Sequence, residues 1–274
     1  MVPSLTAPME HEPLPLCLAL DFDGVLCDGM REYFQTAWRA YCQVWLGHEI
    51  PPPATLEPTF ARLRPVIETG WEMAVLLRVL LLGTSEESIS RDWPTLRDRQ
   101  VAADGLDPKE LAAMTDGLRD DWIADDLDEW LGLHDFFPGA IARLQQILDS
   151  SLPCHIVTTK EERFVRKLLA CKGVIFPAGQ VFGKGVQRPK ADTLRLLAPT
   201  DDGRGLWFVE DMLSTLHKVQ KRPDLQGVEL FLANWGYNRP EDRRVAMGDR
   251  DRLHCLSLDQ FCGPFSRWRS RRDH

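Results

Sequence analysis

The sequence lacks the cysteine and charge patterns of several common classes of protein. Its seven cysteines include no Cys-x-x-Cys pair, and an odd number cannot all form disulfides within one chain. We therefore expect a reducing, cytoplasmic compartment. Asp and Glu outnumber Lys and Arg by 41 to 33, and the formal net charge of -8 argues against a surface that binds nucleic acid, because a phosphate backbone attracts clustered basic residues.

Long apolar segments and the features of a leader sequence are also missing. The longest apolar stretch, from Met73 to Leu82, is interrupted by Arg78 and is too short to span a bilayer, so we predict no membrane segment. The Pro-rich start through Pro15 has no Lys or Arg ahead of an apolar run, which argues against a signal sequence. We expect residues 1–15 to form a flexible extension.

What the sequence does contain is a series of short apolar runs that each lead into a polar residue. Such runs predict buried parallel strands whose carboxyl ends present polar side chains, and amphipathic helical patterns separate them. The runs are Leu16–Leu20, Cys154–Val157, Leu206–Val209, Val228–Leu232 and His254–Leu258. The helical patterns are Ala140–Leu148, Arg163–Ala170, Ala191–Leu197 and Leu213–Val219. This alternation predicts a doubly wound, Rossmann-like α/β sheet that binds ligands at the carboxyl ends of its strands.

One region breaks the alternation. Residues 29–133 show helical periodicity without a convincing strand, which predicts an inserted α-helical domain between core segments 16–28 and 134–262. Residues 263–274 form an Arg-rich basic tail. We interpret the tail as a frayed, solvated terminus rather than a contact for an anionic partner.

The segment Asp21-Phe22-Asp23-Gly24-Val25 follows the first predicted strand and carries two carboxylates one residue apart. Asp21 can attack a phosphorus centre, while Asp23 can protonate a leaving oxygen and later activate water. Alone, the segment is also compatible with a plain turn or a calcium loop. The acidic ligands of an EF-hand do not follow, because Leu26 and Cys27 stand in their place.

Glu210 and Asp211 form a second carboxylate pair after another predicted strand. Magnesium prefers oxygen ligands, so this pair and Asp21 could hold it. The alternative is that the pair only caps the helix over Leu213–Val219.

Thr158 ends a third predicted strand and could hold a phosphoryl oxygen, although Thr158 or Thr159 could instead cap the next helix. Lys190, just ahead of the helix over Ala191–Leu197, could neutralise charge on a phosphoryl group, or it could be an ordinary solvated lysine.

Taken in order, these elements resemble the four motifs of haloacid-dehalogenase superfamily hydrolases, over residues 16–261. Within that superfamily the chain is similar to phosphoglycolate-phosphatase-like members. The segments that carry this similarity are Phe137-Pro138-Gly139, Ile156-Val157-Thr158 and Trp235-Gly236-Tyr237. The chain also resembles an uncharacterised hydrolase group of photosynthetic lineages, in the segments Ile156-Val157-Thr158-Thr159-Lys160, Val209-Glu210-Asp211 and Asn234–Asn238.

The resemblance implies a role for each matching residue. Asp21 would be the nucleophile that forms an aspartyl-phosphate, and Asp23 the general acid and base, with its backbone carbonyl on Mg2+. Thr158 would bind phosphate. Lys190 would stabilise charge, although Lys184 and Arg188 compete for that position; the spacing to the following helix favours Lys190.

Glu210 and Asp211 would complete the Mg2+ site, and the helical insert would be a mobile cap over a small substrate. The resemblance thus implies a Mg2+-dependent phosphatase acting on a small phosphorylated metabolite. The alternatives are a phosphomutase of the same superfamily and a pseudo-hydrolase that only binds a phosphorylated ligand.

Some polar residues outside the motifs allow two interpretations. For Asp28 we favour an N-cap of a helix starting near Met30 over a role in the site. For Arg64 we favour an ion pair on the cap surface over contact with a substrate anion. No zinc site is expected, because the sequence separations between His11, His48 and His134 do not match those of zinc ligands.

Overall fold

A six-stranded parallel sheet lies at the centre of the protein in a computed structural model that describes residues 14–249 and 251–269. Six of the eight strands in the described residues form this sheet, and β2 and β3 pair separately. The strands are β1 (Cys17–Leu20), β2 (Cys27–Asp28), β3 (Asp135–Phe136), β4 (Cys154–Val157), β5 (Val181–Phe182), β6 (Leu206–Glu210), β7 (Glu229–Ala233) and β8 (Leu253–Leu256). The sheet has the order β5-β4-β1-β6-β7-β8, and every neighbouring pair is parallel. The chain therefore winds outward from β1 in both directions.

Twelve α-helices are found in the described residues, half of them between β2 and β3. They are α1 (Met30–Tyr41), α2 (Leu56–Leu63), α3 (Glu72–Leu81), α4 (Glu86–Ala103), α5 (Pro108–Asp125), α6 (Leu127–Gly132), α7 (Ala140–Leu148), α8 (Glu162–Cys171), α9 (Lys190–Leu197), α10 (Leu213–Gln220), α11 (Pro240–Gly248) and α12 (Leu258–Cys262). None of the helices within residues 14–249 and 251–269 is both long and apolar enough to cross a membrane.

Both faces of the sheet are covered, because alternate side chains of each strand point to opposite sides. Leu18 and Leu20 of β1 join a core that includes Leu144 of α7. Ala19, between them, joins a second core that includes Leu216 of α10. A strand buried on both faces needs an uninterrupted apolar run, which is the pattern by which the sequence predicted these strands.

The inserted helical domain leaves and rejoins the core through two short antiparallel strands that pair with each other. β2 and β3 pair Cys27 with Phe136, and helices α1 to α6 lie between them. Residues 29–133, all of which are described, contain no strand. The apolar side chains of these helices form their own core, which includes Phe34, Phe60 and Leu76.

Most predicted elements agree with the structure to within one or two residues. The short strands β2, β3 and β5 were not predicted, because two residues cannot show a periodic pattern. The run His254–Leu258 was predicted to be strand throughout, but the strand ends at Leu256. Ser257 and Gln260 form a reciprocal capping box that starts α12 instead.

The C-terminal segment differs from the frayed terminus expected for it. Trp268 is buried and its ring lies 5.4 Å from that of Phe261. Arg269 lies over the Trp207 ring and forms an ion pair of 3.0 Å with Glu229. Aromatic packing thus holds residues 263–269 against the core. The Arg-rich composition of the tail gave no sign of this packing. The rest of the basic tail and nearly all of the predicted extension over residues 1–15 lie outside the described residues.

Candidate active site

The polar residues predicted at strand ends lie together because their strands are neighbours in the sheet. β1 lies between β4 and β6, so Asp21 lies between Thr158 on one side and the Glu210–Asp211 pair on the other. The carboxyl ends of parallel strands share one edge of the sheet. Residues nearly 190 positions apart in the chain therefore form one cluster.

Three buried carboxylates and one lysine form the centre of this cluster. Asp21, Glu210 and Asp211 each have a carboxylate oxygen within 4.8 Å of the others. Lys190, the first residue of α9, places its Nζ 2.8 Å from Asp21 Oδ2 and 2.7 Å from Glu210 Oε2. Asp21 Oδ1 accepts a hydrogen bond of 2.7 Å from the Phe22 N–H, which fixes the orientation of the carboxylate.

Burial and crowding of like charges raise the pKa values of the carboxyl groups. Burial, reinforced by the charge of Glu210, raises the pKa of Asp21 to about 7. Burial and the charge of Asp21 raise the pKa of Asp211 to about 6, and burial also raises the pKa of Glu210. Burial alone would lower the pKa of Lys190, but Asp21 and Glu210 outweigh it and raise that pKa.

This donor set fits a divalent cation. When ionised, three carboxylates face one ammonium, so the centre carries an excess of two negative charges. Carboxylate oxygens are the ligands that small divalent cations prefer. No other group of three or more metal-binding side chains was found within residues 14–249 and 251–269. The expectation that there is no zinc site stays a prediction, and His11 lies outside the described residues.

Two glycines allow the loops to close tightly around Asp211. Gly24 has φ of +82°, and a Cβ there would lie 2.0 Å from Asp211 Oδ2. A Cβ on Gly236 would lie 2.3 Å from the Gly24 carbonyl oxygen. The Tyr237 N–H donates to Asp211 Oδ2 at 2.8 Å, and Asn238 Nδ2 donates to the Asp211 carbonyl oxygen at 3.0 Å. Asp211 is therefore held by the loop after β7 and does not cap α10, whose N-cap is Met212.

Thr158 does not cap the following helix, because the N-cap of α8 is Glu161. The Thr158 hydroxyl accepts a hydrogen bond of 3.2 Å from the Lys160 N–H, and the Thr158 N–H donates to the Phe182 carbonyl oxygen at 3.0 Å. Because the hydroxyl oxygen accepts the bond from Lys160, its hydrogen can be donated to a ligand oxygen.

Asp23 has a lysine partner that sequence reasoning missed. Lys160 Nζ lies 3.2 Å from Asp23 Oδ1 and 3.5 Å from His134 Nε2. His134 Nδ1 lies 3.0 Å from the Trp130 carbonyl oxygen, so Nδ1 donates and Nε2 accepts from the lysine. Burial and the charge of Lys160 lower the pKa of His134 to about 4, which keeps the imidazole neutral near pH 7.

The alternatives to Lys190 lie away from the carboxylate cluster. Lys184 forms an ion pair with Asp116 of α5, and Arg188 Nε donates to Thr193 Oγ1 at 3.3 Å. Of these three basic residues, Lys190 alone contacts Asp21 in the described part of the chain.

The two residues for which we gave two interpretations, Asp28 and Arg64, also have defined positions. Asp28 is not the N-cap of α1 that we expected, because that position is Gly29; the Asp28 Oδ1 instead accepts from the Met30 N–H at 2.9 Å and from the Tyr237 hydroxyl at 2.8 Å. The ion pair expected for Arg64 is not observed among residues 14–249 and 251–269. Its guanidinium instead lies 5.0 Å from the ring centres of both Tyr33 and Tyr237.

Solved structures of several bacterial proteins described as predicted or candidate phosphatases resemble most of the chain. A predicted phosphatase from Clostridium acetobutylicum is 13% identical with a TM-score of 0.57, and the match covers 91% of this chain and 97% of that chain. A candidate phosphoglycolate phosphatase from Lactobacillus delbrueckii subsp. bulgaricus is also 13% identical, with a TM-score of 0.53 and coverage of 91% and 96%.

A candidate phosphoglycolate phosphatase from Lactobacillus plantarum has 13% identity, a TM-score of 0.51 and coverage of 84% and 91%. The expected doubly wound, Rossmann-like α/β fold with inserted helices is confirmed. No protein-family model and no curated protein matches the sequence. Likeness at this level of identity establishes the fold, so activity has to be inferred from the site.

Proposed function

We propose that the protein is a Mg2+-dependent phosphatase that hydrolyses a small phosphorylated metabolite through an aspartyl-phosphate on Asp21. The observation that carries the proposal is the contact of Lys190 with Asp21 inside the three-carboxylate cluster. A cation beside a buried nucleophilic carboxylate, next to acidic metal ligands, is suited to transfer of a phosphoryl group. The named phosphatases that share the fold agree with this proposal.

In the first half of the reaction, an Asp21 carboxylate oxygen attacks phosphorus and the bond to the ester oxygen breaks. Asp23 donates a proton to the departing oxygen, which leaves as an alcohol. Lys190 offsets charge on the transferring group, and the Thr158 hydroxyl donates a hydrogen bond to a phosphoryl oxygen. Lys160 holds the Asp23 carboxylate in position through their 3.2 Å contact.

In the second half, Asp23 takes a proton from a water molecule whose oxygen attacks the phosphorus of the aspartyl-phosphate. The bond to Asp21 breaks, inorganic phosphate forms, and the Asp21 carboxylate is regenerated. The helical insert acts as a cap that shields this chemistry from bulk solvent.

Mg2+ would be held by Asp21 and Asp211, with Glu210 completing the site and the backbone carbonyl of Asp23 as a further ligand. When bound, the ion supplies electrostatic stabilisation of the phosphoryl oxygens. Seven cysteines without a disulfide support a reducing, cytoplasmic compartment. The narrower likeness to hydrolases of photosynthetic lineages stays a prediction.

The test measures release of inorganic phosphate from a panel of small phosphate monoesters, with and without MgCl2. Asp21→Asn is expected to lower the rate by more than about 1,000-fold, because it removes the nucleophile. Asp201→Asn, which changes an exposed carboxylate, serves as the matched control and should keep the wild-type rate.

Mass spectrometry of acid-quenched wild-type protein should detect a phosphoryl adduct on Asp21. No phosphate release from any monoester by folded, Mg2+-loaded protein would contradict the phosphatase proposal and favour a binding protein. Formation of an isomeric phosphate ester without free phosphate would favour a phosphomutase instead.

A further inference from the structure

His134 lies where the helical insert returns to the core, between the end of α6 at Gly132 and the start of β3 at Asp135. The side chain is buried, and its ring centre lies 4.4 Å from that of Trp130. His134 Nδ1 lies 3.0 Å from the Trp130 carbonyl oxygen, to which it donates. The last helix of the insert therefore fixes the orientation of the imidazole.

The other ring nitrogen of His134 faces a lysine of the core. Nε2 lies 3.5 Å from Lys160 Nζ, and it carries the lone pair because Nδ1 carries the hydrogen. Burial and the charge of Lys160 lower the pKa of His134 to about 4, so the imidazole is neutral and keeps this lone pair near pH 7. His134 is thus a hydrogen-bond acceptor for the Lys160 ammonium.

The Lys160 side chain is largely buried and lies among groups that attract a cation. Its Nζ lies 3.2 Å from Asp23 Oδ1 and 5.4 Å from the centre of the Tyr33 ring. An ammonium has three donor hydrogens, so it can serve the carboxylate, the imidazole and the ring face together. Asp23 follows β1, whereas Tyr33 lies in the first helix of the insert and His134 directly after the last. The groups around Lys160 therefore come from the core and from both ends of the insert.

A second carboxylate lies close enough to feel the charge of Lys160. Glu32 of α1 is fully buried; although burial opposes it, Arg119 and Lys160 lower the pKa of Glu32 to about 2. Glu32 Oε1 is held by Arg119 Nε at 2.6 Å and by the Thr36 hydroxyl at 2.7 Å. A lysine near two carboxylates is attracted to both, so a further directional contact is needed to fix its position. The hydrogen bond to His134 is that contact, and with it Lys160 lies against Asp23.

We infer that His134 is a positioning residue for the proposed reaction, because it holds Lys160 and thereby the carboxylate of Asp23. An apolar ring of similar size would also pack on Trp130, so packing alone does not require the acceptor nitrogen. The inference rests on the proposed phosphatase function and adds a residue to its acid–base step. Proton transfer requires the acid or base to lie within hydrogen-bond reach of the reacting oxygen, so it depends on where the Asp23 carboxylate is held.

The test separates a reaction that needs a proton on the leaving group from one that does not. Benzyl phosphate loses an alkoxide, which must be protonated as it leaves, whereas p-nitrophenyl phosphate loses a stable phenolate. Rapid-quench mixing with Mg2+-loaded protein measures the rate at which each ester forms the aspartyl-phosphate. We expect His134→Phe to lower the rate for benzyl phosphate by about 10-fold and to leave the rate for p-nitrophenyl phosphate unchanged.

Further variants separate positioning from packing. His134→Leu, a second apolar replacement, should shift the ratio of the two rates in the same direction as His134→Phe. His134→Gln retains an acceptor oxygen and should retain part of the wild-type ratio. The matched control is His155→Phe, which should keep the full ratio, because His155 is a half-buried histidine of β4 whose Nδ1 has no hydrogen-bond partner among the described residues. Since the ratio is measured on one protein sample, a partial loss of folded protein cancels.

The outcomes distinguish failure of this inference from failure of the proposed function. If wild type forms the aspartyl-phosphate from both esters and the apolar His134 variants keep the wild-type ratio, the phosphatase proposal stands and the role of His134 is overturned. If wild type does not form the adduct from both esters, crystal structures of wild type and of an apolar His134 variant decide. Displacement of Lys160 Nζ from Asp23 in the variant supports the positioning role, and an unchanged hydrogen bond between them overturns it.

Discussion

Lys190 Nζ lies 2.7 Å from Glu210 Oε2, and Glu210 is completely buried. The same ammonium also contacts Asp21, so one cation serves two buried carboxylates. At buried positions water screens and solvates these charges poorly once the lysine is removed. The lysine therefore matters for folding as well as for the proposed chemistry.

The first prediction concerns the removal of this cation. Lys190→Met should lower the free energy of unfolding by about 3–5 kcal/mol at about pH 8 without Mg2+, because buried carboxylates lose their partner. The loss should be smaller at about pH 5, where Asp21, with a pKa of about 7, is protonated. Urea unfolding curves at both pH values measure the effect.

Lys184→Met is the matched control for Lys190→Met. Lys184 pairs with Asp116 at a half-exposed position, and such pairs contribute only about 0–1 kcal/mol. Equal losses of stability in the two variants would show that the Lys190 contacts contribute no more to the free energy of unfolding than a surface ion pair does.

The second prediction concerns pH and Mg2+. The pKa of Asp21 is raised from 3.8 to about 7 in the folded protein, so the folded state binds the proton more tightly than the unfolded state. Without Mg2+, this group lowers the free energy of unfolding as pH rises from about 4 to about 7, and Asp211 acts in the same direction up to about 6.

Mg2+ should remove this penalty only where the carboxylates are ionised. We therefore expect MgCl2 to raise Tm more at about pH 8 than at about pH 5, as measured by differential scanning calorimetry. Asp211→Asn should abolish most of the increase. A Tm that does not respond to Mg2+ at either pH would argue against a metal site at this cluster.

The third prediction tests the close contact between two loops. Gly236→Ala would place a Cβ 2.3 Å from the Gly24 carbonyl oxygen and 2.4 Å from Asp211 Cβ. We expect this variant to lose about 1–3 kcal/mol of stability and to bind Mg2+ more weakly, because Asp211 must move. Thermal unfolding with increasing MgCl2 measures both quantities.

Gly117→Ala is the control for Gly236→Ala. Gly117 lies inside α5, where an added Cβ meets nothing within 4 Å, so alanine should stabilise the helix by about 0.5–1 kcal/mol. A Gly236→Ala protein as stable as wild type would mean that the close contact of Gly236 with Gly24 and Asp211 is not needed for stability.

The fourth prediction concerns the partner of Asp23. Lys160→Met should lower kcat by at least about 10-fold and change KM little, because a general acid and base that is no longer held in position loses part of its contribution. Lys167→Met changes an exposed lysine of α8 and is the control. A wild-type kcat in Lys160→Met would exclude a positioning role for Lys160.

The chain's local sequence was enough to predict the main strands and helices and the residue types at the strand ends. A strand buried on both faces must be apolar throughout, and a polar residue directly after it must lie at the sheet edge. Asp21, Thr158 and the Glu210–Asp211 pair follow from this rule, because each depends only on its immediate neighbours in the chain.

Tertiary structure alone decided which residues meet. The order of the strands makes β4 and β6 the neighbours of β1, and the packing of α9 places Lys190, which its spacing had already favoured over Lys184 and Arg188, in contact with Asp21. The contact between Lys160 and Asp23 spans 137 positions, and Arg64 meets Tyr237 across the boundary between insert and core. Local periodicity contains no information about such partners, because they depend on how whole elements pack against one another.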